Sequence, residues 1–309
     1  MIALGQPPIP FHGESPMLRT FPCQLVLLAV LSGGAAAQDL SQVEITTTSV
    51  TANIYMLQGS GGNIAVSVGE DGAFIVDDQF APLTDKIVAA IVAFTDQPVQ
   101  FVINTHWHYD HTDGNENFGE AGAIIVSHEN SRRRMESEQF IALFDHRQAP
   151  YSAAGLPKIT FTEAMRFYYN GEPIDVFHPG PAHTDGDAII HWVESNVLHT
   201  GDVFVTYGFP FIDEPNGGTI DGIIQAVAHL AQIANESTRI IPGHGQLSSR
   251  QDLIAYGEML QTIRDRVASG IAQGMSLDAI IASDPTRGFE QAGIESSAFV
   301  QTAYDSLNR

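Results

Sequence analysis

The chain has 309 residues, of which 44% are hydrophobic and 16% are charged, and its mean hydropathy is close to zero. This balance is typical of a globular protein with apolar material for one large domain or two small ones, and it excludes a disordered chain. The formal net charge of −22 predicts a surface that repels phosphate backbones and anionic membranes. We therefore expect a small-molecule substrate and no nucleic acid partner.

The first 37 residues have the pattern of an export signal. Arg19 precedes the apolar run of residues 23–31, and small residues follow up to a plausible cleavage point after Ala37. The run is too short to span a membrane permanently, so no stable membrane anchor is expected. Residues 1–37 are thus predicted to be a leader and signal peptide, and the mature protein is predicted to be periplasmic or secreted.

The first half of the mature chain indicates a β-meander followed by a β-α-β unit. Residues 53–78 contain three short β-type runs, which the turn signals GSGG and GEDG separate. Residues 83–94 have the apolar spacing of a helix, and VQFVIN at 99–104 returns as a strand.

The second half has a similar order of elements without repeating the sequence. A hairpin is predicted around Asn170 and Gly171, then strands over 187–195 and 196–202, a helix over 222–234 and a strand in 238–245. The tail is predicted to be helical over 252–271, with shorter helices near 276–282 and 297–307.

The densest group of metal-binding residue types lies in NTHWHYDHTDG, residues 104–114. If the chain leaves the preceding strand extended, His106 and His108 face one point, with Asp110 and His111 past a bend. This arrangement offers two imidazoles to one ion, and a carboxylate with a third imidazole to a neighbouring ion, which suits borderline metals such as Zn²⁺. The alternative is a chance cluster among the 12 histidines of the chain.

Three further residues of ligand type follow predicted strands, each beside a glycine: His183, Asp202 and His244. Together with the first motif they form the pattern His-x-His-x-Asp-His, His, Asp, His. Over about residues 43–246 this pattern resembles the metallo-β-lactamase superfamily of dinuclear metal hydrolases.

The resemblance implies an α+β fold, a four-layered αββα sandwich. Residues 38–248 would form the catalytic domain, and residues 249–309 a C-terminal helical extension packed on the core. It also implies two Zn²⁺ per chain, one held by His106, His108 and His183, the other by Asp110, His111 and His244, with Asp202 bridging both.

Two such ions would acidify water, so that a metal-bound hydroxide attacks a carbonyl carbon without a serine or cysteine nucleophile. Asp110 is the predicted catalytic residue, because it can orient the hydroxide and relay a proton to the leaving group.

The sequence predicts the substrate class less directly than it predicts the metal site. Asp202 occupies the place of a cysteine ligand in the cysteine-containing zinc β-lactamases, and the short QGSGG loop lacks the aromatic flap of many of them. His111 and Asp202 together look more like the glyoxalase II, lactonase and broader hydrolase branches. Export nevertheless favours β-lactams or lactones over glutathione thioesters. The leading hypothesis is an exported zinc hydrolase that opens a cyclic amide or ester, with promiscuous β-lactam hydrolysis ahead of lactone hydrolysis. An iron-dependent sulfur dioxygenase and a non-enzymatic metal-binding protein are the alternatives, and the oligomeric state stays open.

Loops at 140–157 and 205–218 are rich in aromatic residues. They are predicted either to roof an apolar pocket or to pack into the core, through Tyr207, Phe209, Phe211, Phe144 or Tyr151. His146 and His178 are candidates for contacts behind the metal ligands. SRRR at 131–134 is predicted to be a solvated helix face, with a grip on a substrate anion as the alternative.

Overall fold

The structure, a computed structural model, describes residues 39–289 and 293–308. The predicted leader and signal peptide lies outside these residues. Within the described part of the chain, no helix is both long and apolar enough to cross a bilayer.

The described residues form fifteen strands and eight α-helices, joined by short loops and single 3₁₀ turns. The strands are β1 (Thr46–Ser49), β2 (Ile54–Gln58), β3 (Ile64–Gly69), β4 (Gly72–Val76), β5 (Val99–Ile103), β6 (Ile124–His128), β7 (Gln139–Ile141), β8 (His146–Gln148), β9 (Ile159–Phe161), β10 (Ala164–Tyr169), β11 (Glu172–Phe177), β12 (Ile189–Trp192), β13 (Val197–His199), β14 (Arg239–Ile241) and β15 (Ser248–Ser249). The helices are α1 (Thr84–Val92), α2 (Tyr109–Thr112), α3 (Asn115–Glu120), α4 (Glu129–Met135), α5 (Ile220–Ile233), α6 (Arg250–Ala272), α7 (Leu277–Ala282) and α8 (Ser296–Leu307).

The strands assemble into two mixed sheets. The first has the order β1-β2-β3-β4-β5-β6-β9, antiparallel from β1 to β4 and parallel from β4 to β9. The second has the order β10-β11-β12-β13-β14-β15 and is antiparallel except for the parallel pair β13–β14. The predicted hairpin is present, with Asn170 and Gly171 at positive φ in the two-residue turn that joins β10 to β11.

Three apolar layers hold these elements together. Buried residues of both sheets, such as Phe74 and Trp192, share one core between the sheets. The outer face of the first sheet is covered by α1 and α3, through residues such as Ile87 and Phe118. The outer face of the second sheet is covered by α5, α6 and α8. The chain therefore has the four-layered αββα fold that the sequence predicted, with C-terminal helices on one outer face.

Two features of the first half differ from the prediction. Residues 139–148 are not an irregular loop, because β7 and β8 pair there as a short antiparallel hairpin. The chain also leaves β5 at Ile103 and bends at residues 105–107 before entering α2, so the histidine motif is not an extension of the strand.

The topology places the candidate ligands at one edge of the sandwich. The parallel pairs β4–β5 and β13–β14 both end in loops that carry six of the seven candidates, residues 104–111, 200–203 and 242–245, and His183 lies in the loop between β11 and β12. The carboxyl ends of parallel strands share an edge, which is the usual position of sites in such sheets.

Candidate metal centre

Three buried histidines form the first group of donors. His106 Nε2 lies 3.1 Å from His108 Nδ1, and His183 Nε2 lies 2.9 Å from that same nitrogen. His106 and His108 converge because the chain bends between them, rather than through the alternation of an extended strand. The three predicted ligands of one ion are thus brought together.

The second group contains one carboxylate and two imidazoles. His244 Nε2 lies 3.2 Å from both Asp110 Oδ2 and His111 Nε2, and the separation between Asp110 Oδ2 and His111 Nε2 is 3.7 Å. His111 is fully buried, whereas the side chains of His244 and Asp110 are 22% and 24% exposed. The second group therefore opens to solvent on one side.

Asp202 lies between the two groups. Its Oδ1 is 3.2 Å from His111 Nε2, and its Oδ2 is 3.8 Å from His183 Nε2 and 3.5 Å from His244 Nε2. Asp202 Oδ1 is buried and accepts no hydrogen bond from the described residues. A buried carboxylate oxygen without a hydrogen bond is costly, and a cation between the groups would satisfy it.

The outer nitrogens of four histidines are fixed by acceptors, which leaves each inner nitrogen with a lone pair. His111 Nδ1 donates to Asp77 Oδ2 and His108 Nε2 to Asp213 Oδ2, both at 2.8 Å. His183 Nδ1 donates to the carbonyl of Phe211 at 2.8 Å. His106 Nδ1 lies 3.0 Å from the Thr105 hydroxyl, which itself donates to Asp77. Lone pairs that converge in this way are the form of imidazole that binds a metal.

The directions in which the pKa values of the donors are shifted agree with a metal site at this position. Burial lowers the pKa of His106 well below its ordinary value, and the adjacent imidazoles add to the effect. Burial also opposes a charge on His111, yet the carboxylates of Asp202 and Asp110 hold its pKa well above the ordinary value. Burial raises the pKa of Asp202, but His244 and His111 together hold it well below the usual range. The carboxylates of the site thus favour a positive charge beside them, and a divalent cation can provide that charge in place of a proton.

The donor atoms of each group lie within 4.8 Å of one another, and the groups share histidines with a third set that includes Asp202. These buried clusters of histidine and aspartate are consistent with a site for two metal ions.

A family model described as the metallo-beta-lactamase superfamily matches residues 48–244, more than half of the chain. The chain belongs to this superfamily. The matched region contains all seven candidate ligands and ends at the last of them.

Other proteins resemble this member of the metallo-β-lactamase superfamily in sequence or in fold. A protein described as a probable metallo-hydrolase, from Methanocaldococcus jannaschii, is 26% identical over 206 residues, which are 65% of this chain and 90% of the relative. Two solved metallo-β-lactamases, one from Pontibacter korlensis and the other known as DIM-1, superpose with TM-scores of 0.58 and 0.57 at 18% and 20% identity. They cover 71% and 72% of this chain, and 99% of each of those chains is matched.

A variant of the sec-alkyl sulfatase PisA1 superposes with a TM-score of 0.67 at 14% identity, over 84% of this chain and 50% of the sulfatase. At these identities the solved structures show the metallo-β-lactamase fold alone. The family match, the curated relative and the donor clusters together assign the chain to the metal-dependent hydrolases.

Two residues that accept hydrogen bonds from candidate ligands of this metallo-β-lactamase fold were not predicted from the sequence, Asp77 and Asp213. Asp77 follows directly after β4 with a φ of 62°, and its conformation, rather than any motif, turns the carboxylate toward His111. The histidines that the sequence offered for this role make other contacts. His146 stacks on Tyr109 at 3.9 Å, and His178 stacks on His128 at 4.2 Å.

Two glycines of the superfamily site allow the backbone to approach the ligands closely. A Cβ at Gly62 would lie 2.2 Å from the His111 ring, and a Cβ at Gly243 would lie 2.0 Å from Asp202 Oδ1. The GSGG segment, which the sequence identified only as a turn, therefore supports the second donor group.

Aromatic residues border the first group. Phe211 stacks on His108 with ring centroids 5.6 Å apart, and Phe144 meets the edge of Phe211 at 5.2 Å. Phe144 is 45% exposed. We refer to Phe144 and Phe211 as the aromatic wall of this metallo-β-lactamase-fold site.

The other aromatic candidates lie elsewhere. Tyr207 is near the second group, 5.7 Å from the His244 ring. Phe209 is fully buried and stacks on Phe299 at 5.0 Å, so of the two alternatives it packs into the core. The hydroxyl of Tyr151 is 2.7 Å from that of Thr112, and its ring packs on the small core around Trp107.

Proposed function

We propose that the protein is a zinc-dependent hydrolase that opens a cyclic amide or ester, with a β-lactam as the leading substrate. The observation that carries the proposal is the pair of adjoining donor groups, of which one is closed and the other is open to solvent at Asp110 and His244. A purely structural zinc site has four protein ligands and no open position, so the open side favours catalysis over a metal that only stabilises the fold.

The chemistry of the donors suits two zinc ions. His106, His108 and His183 would hold one ion, and Asp110, His111 and His244 the other, with Asp202 between them. When bound, two such ions acidify water and polarise a carbonyl oxygen. A site of imidazole and carboxylate without a thiolate also accepts iron, which keeps metal identity an experimental matter.

Asp110 is the residue that we propose moves a proton. Burial raises its pKa, but the imidazoles of His111 and His244 bring the pKa down to about 2. Its carboxylate is therefore ionised at neutral pH, and its Oδ2 stands at the open side of the second group, 3.2 Å from His244 Nε2. In this position it can accept a proton from attacking water and pass it to the leaving nitrogen or oxygen.

The aromatic wall supports an apolar substituent on the substrate. Phe144 and Phe211 extend an apolar surface away from His108, and Leu143 beside them is 45% exposed. Exposed apolar side chains that continue from a polar site are typical of a pocket that orients substrate by one face.

A lactone is the second candidate substrate, and the pairing of two arginines favours it. A β-lactam antibiotic carries a carboxylate that a free cation would bind, whereas a lactone does not. Arg134 is paired with Asp185 and Arg147 with Glu138, so each of these arginines already has a carboxylate partner within the protein.

We also propose that the protein acts outside the cytoplasm on small molecules. The apolar run of residues 23–31 and the net charge of −22 support this assignment. Fractionation of cells that express the full chain, with sequencing of the mature N-terminus, tests it. Cleavage after Ala37 is the expected result.

The test of the function combines metal analysis with two assays. Purified protein is analysed for metal content, and hydrolysis of a chromogenic β-lactam and of a simple lactone is followed before and after chelation. Two zinc ions per chain with turnover that chelation abolishes are expected, and the ratio of the two rates decides the substrate. One iron per chain with oxygen-dependent oxidation of a thiol substrate would replace the proposal with the dioxygenase, and full zinc without turnover of either substrate would contradict the substrate class.

A further inference from the structure

The SRRR segment contains an arginine that does not belong to a solvated helix face. Arg133 is 67% exposed and pairs with Glu129 one turn earlier, as predicted for the whole segment. The side chain of Arg134 is only 21% exposed, because it leaves α4 and enters the loops that carry His183 and Asp213.

Arg134 binds two partners at once. Its Nε and Nη2 donate to the two oxygens of Asp185 at 2.9 and 2.6 Å. Its Nη1 donates to Asn216 Oδ1 at 2.5 Å, and its Nη2 also donates to the Asn216 carbonyl at 3.1 Å. A planar guanidinium with five fixed donors suits this double contact, which a lysine cannot reproduce.

Arg134 on one side and Asp213 on the other fix which way the Asn216 amide faces. A guanidinium only donates, so Asn216 must turn its oxygen toward Arg134 and its NH₂ group away from it. That group donates to both oxygens of Asp213, at 2.9 and 2.8 Å. Asp213 Oδ2 in turn accepts from His108 Nε2 at 2.8 Å.

We propose that Arg134 is a positioning residue for the first metal: through Asn216 and Asp213 it fixes the orientation and tautomer of His108, so that Nδ1 faces His106 and His183. Arg134 donates to Asn216 and Asn216 donates to Asp213, which also accepts from His108. If the Asn216 amide turned over, its oxygen would face and repel the Asp213 carboxylate, and Asp213 would lose the two donated hydrogen bonds that hold it against His108. The inference rests on the proposed metal site but concerns residues outside it.

The first experiment measures the tautomer of His108 in metal-free protein, by ¹⁵N NMR of histidine-labelled samples, with a His108→Gln sample for assignment. We expect protonation at Nε2 in the wild type and in Arg133→Ala, the matched control on the same helix. In Arg134→Ala we expect a mixture of tautomers. An unchanged tautomer in folded Arg134→Ala would overturn the proposal, and this result does not depend on whether the protein binds metal.

The second experiment measures the two zinc dissociation constants by competition with a chelator. The His183→Ala variant shows which of the two constants belongs to the three-histidine group. We expect Arg134→Ala to weaken that group by roughly 10-fold, the low end for residues that orient a ligand, and Arg134→Lys to lose less. The second group and the Arg133→Ala protein should keep their affinities. The double variant Arg134→Ala/Asn216→Ala should bind zinc at the three-histidine group no more weakly than Asn216→Ala alone, because both residues act on His108 through the same contacts.

Two outcomes of the second experiment would overturn the inference: an equal loss at both metal groups, or losses that multiply in the double variant. Wild-type protein that binds no zinc contradicts the proposed function instead, and the tautomer measurement still decides the role of Arg134.

Discussion

Asp77 Oδ2 accepts a hydrogen bond from His111 Nδ1 at 2.8 Å, and both side chains are completely buried. The same carboxylate accepts from the backbone N–H and the hydroxyl of Thr105, at 2.7 and 2.8 Å. One residue at the end of β4 therefore orients a ligand of the second group and also holds the loop that begins the histidine motif.

Asp77→Asn should disable the second metal group while preserving the fold. An asparagine tolerates the positive φ at this position and can still accept from Thr105, but its NH₂ group would donate to His111 Nδ1. The proton of His111 would then lie on Nε2, the atom that faces Asp202 and His244. We expect roughly 10- to 100-fold weaker binding of the second zinc. Elemental analysis after dialysis against a weak chelator measures this change, and two retained zinc ions would contradict the assigned role.

Gly62→Ala should have a similar effect through steric displacement. The new methyl group would lie 2.2 Å from Cε1 of His111, which has no free space because it is buried. Loss of the second metal with a near-native melting temperature is expected. Gly257→Ala is the control for a glycine-to-alanine change, since on α6 its methyl group would meet only the Cγ1 end of Val227. Equal metal content in the two variants would show that the loop adjusts without moving His111.

Phe144→Ala should raise KM for substrates with an apolar substituent and leave kcat nearly unchanged. Phe144 is about half-exposed, so its truncation removes roughly 1 kcal/mol of apolar contact, or about 5-fold in KM. Substrates without the substituent should be unaffected. Phe140→Ala is the control, because Phe140 lies on the same hairpin and packs beneath Arg147 instead. An increase in KM of equal size for Phe140→Ala would contradict the proposed role of the aromatic wall in specificity.

Asp78→Asn should stabilise the metal-free protein at neutral and higher pH. Burial, together with the neighbouring Asp77, raises the pKa of Asp78 well above its usual value. Its Oδ2 has no hydrogen bond from the described residues, while its Oδ1 accepts from the N–H of Gly114. A carboxyl whose pKa is raised by folding costs stability as the pH rises from the unfolded pKa, near 4, toward the folded value.

The advantage of Asp78→Asn over the wild type should therefore increase with pH and vanish below about pH 4. At pH 8 we expect a melting temperature higher by about 2–4 °C, the effect of ~1 kcal/mol in a chain of this size. The measurement is thermal unfolding of the wild type and of Asp78→Asn between pH 4 and pH 8, after a chelator has removed metal from both. A difference that is constant across this range would assign the effect to something other than ionisation.

Most strands and helices and the set of candidate ligands were predictable from local patterns, whereas the four-layered arrangement was predicted from the resemblance to the metallo-β-lactamase superfamily. The alternation of β2, β3 and β4, the Asn170–Gly171 turn and the apolar face of α1 are all visible in short windows. The seven candidate ligand residues were singled out by their residue type, their spacing and their place after strands. Their joint position follows once two parallel strand pairs end at one edge.

The residues behind the ligands were not predictable, because their roles depend on contacts across the chain. Asp213 reaches His108 over 105 positions, and Arg134 reaches Asn216 over 82. Nothing in their neighbourhood distinguishes Arg134 from Arg133, and only the approach of the loop at 213–218 turns one of them inward. The bend after β5 was missed for a similar reason, since Asp77 fixes it through Thr105.

The separation of the ligands along the chain has a consequence for how the protein matures. His111 and His244 are 133 positions apart and follow strands of different sheets, β5 and β14, so neither donor group is complete until the two halves have docked. An unfinished or half-synthesised chain offers an ion only the local histidine motif, which binds far more weakly than the assembled groups. Under the proposed function, tight binding of metal therefore requires the two sheets to have docked, and a bound ion would in turn stabilise the docked state.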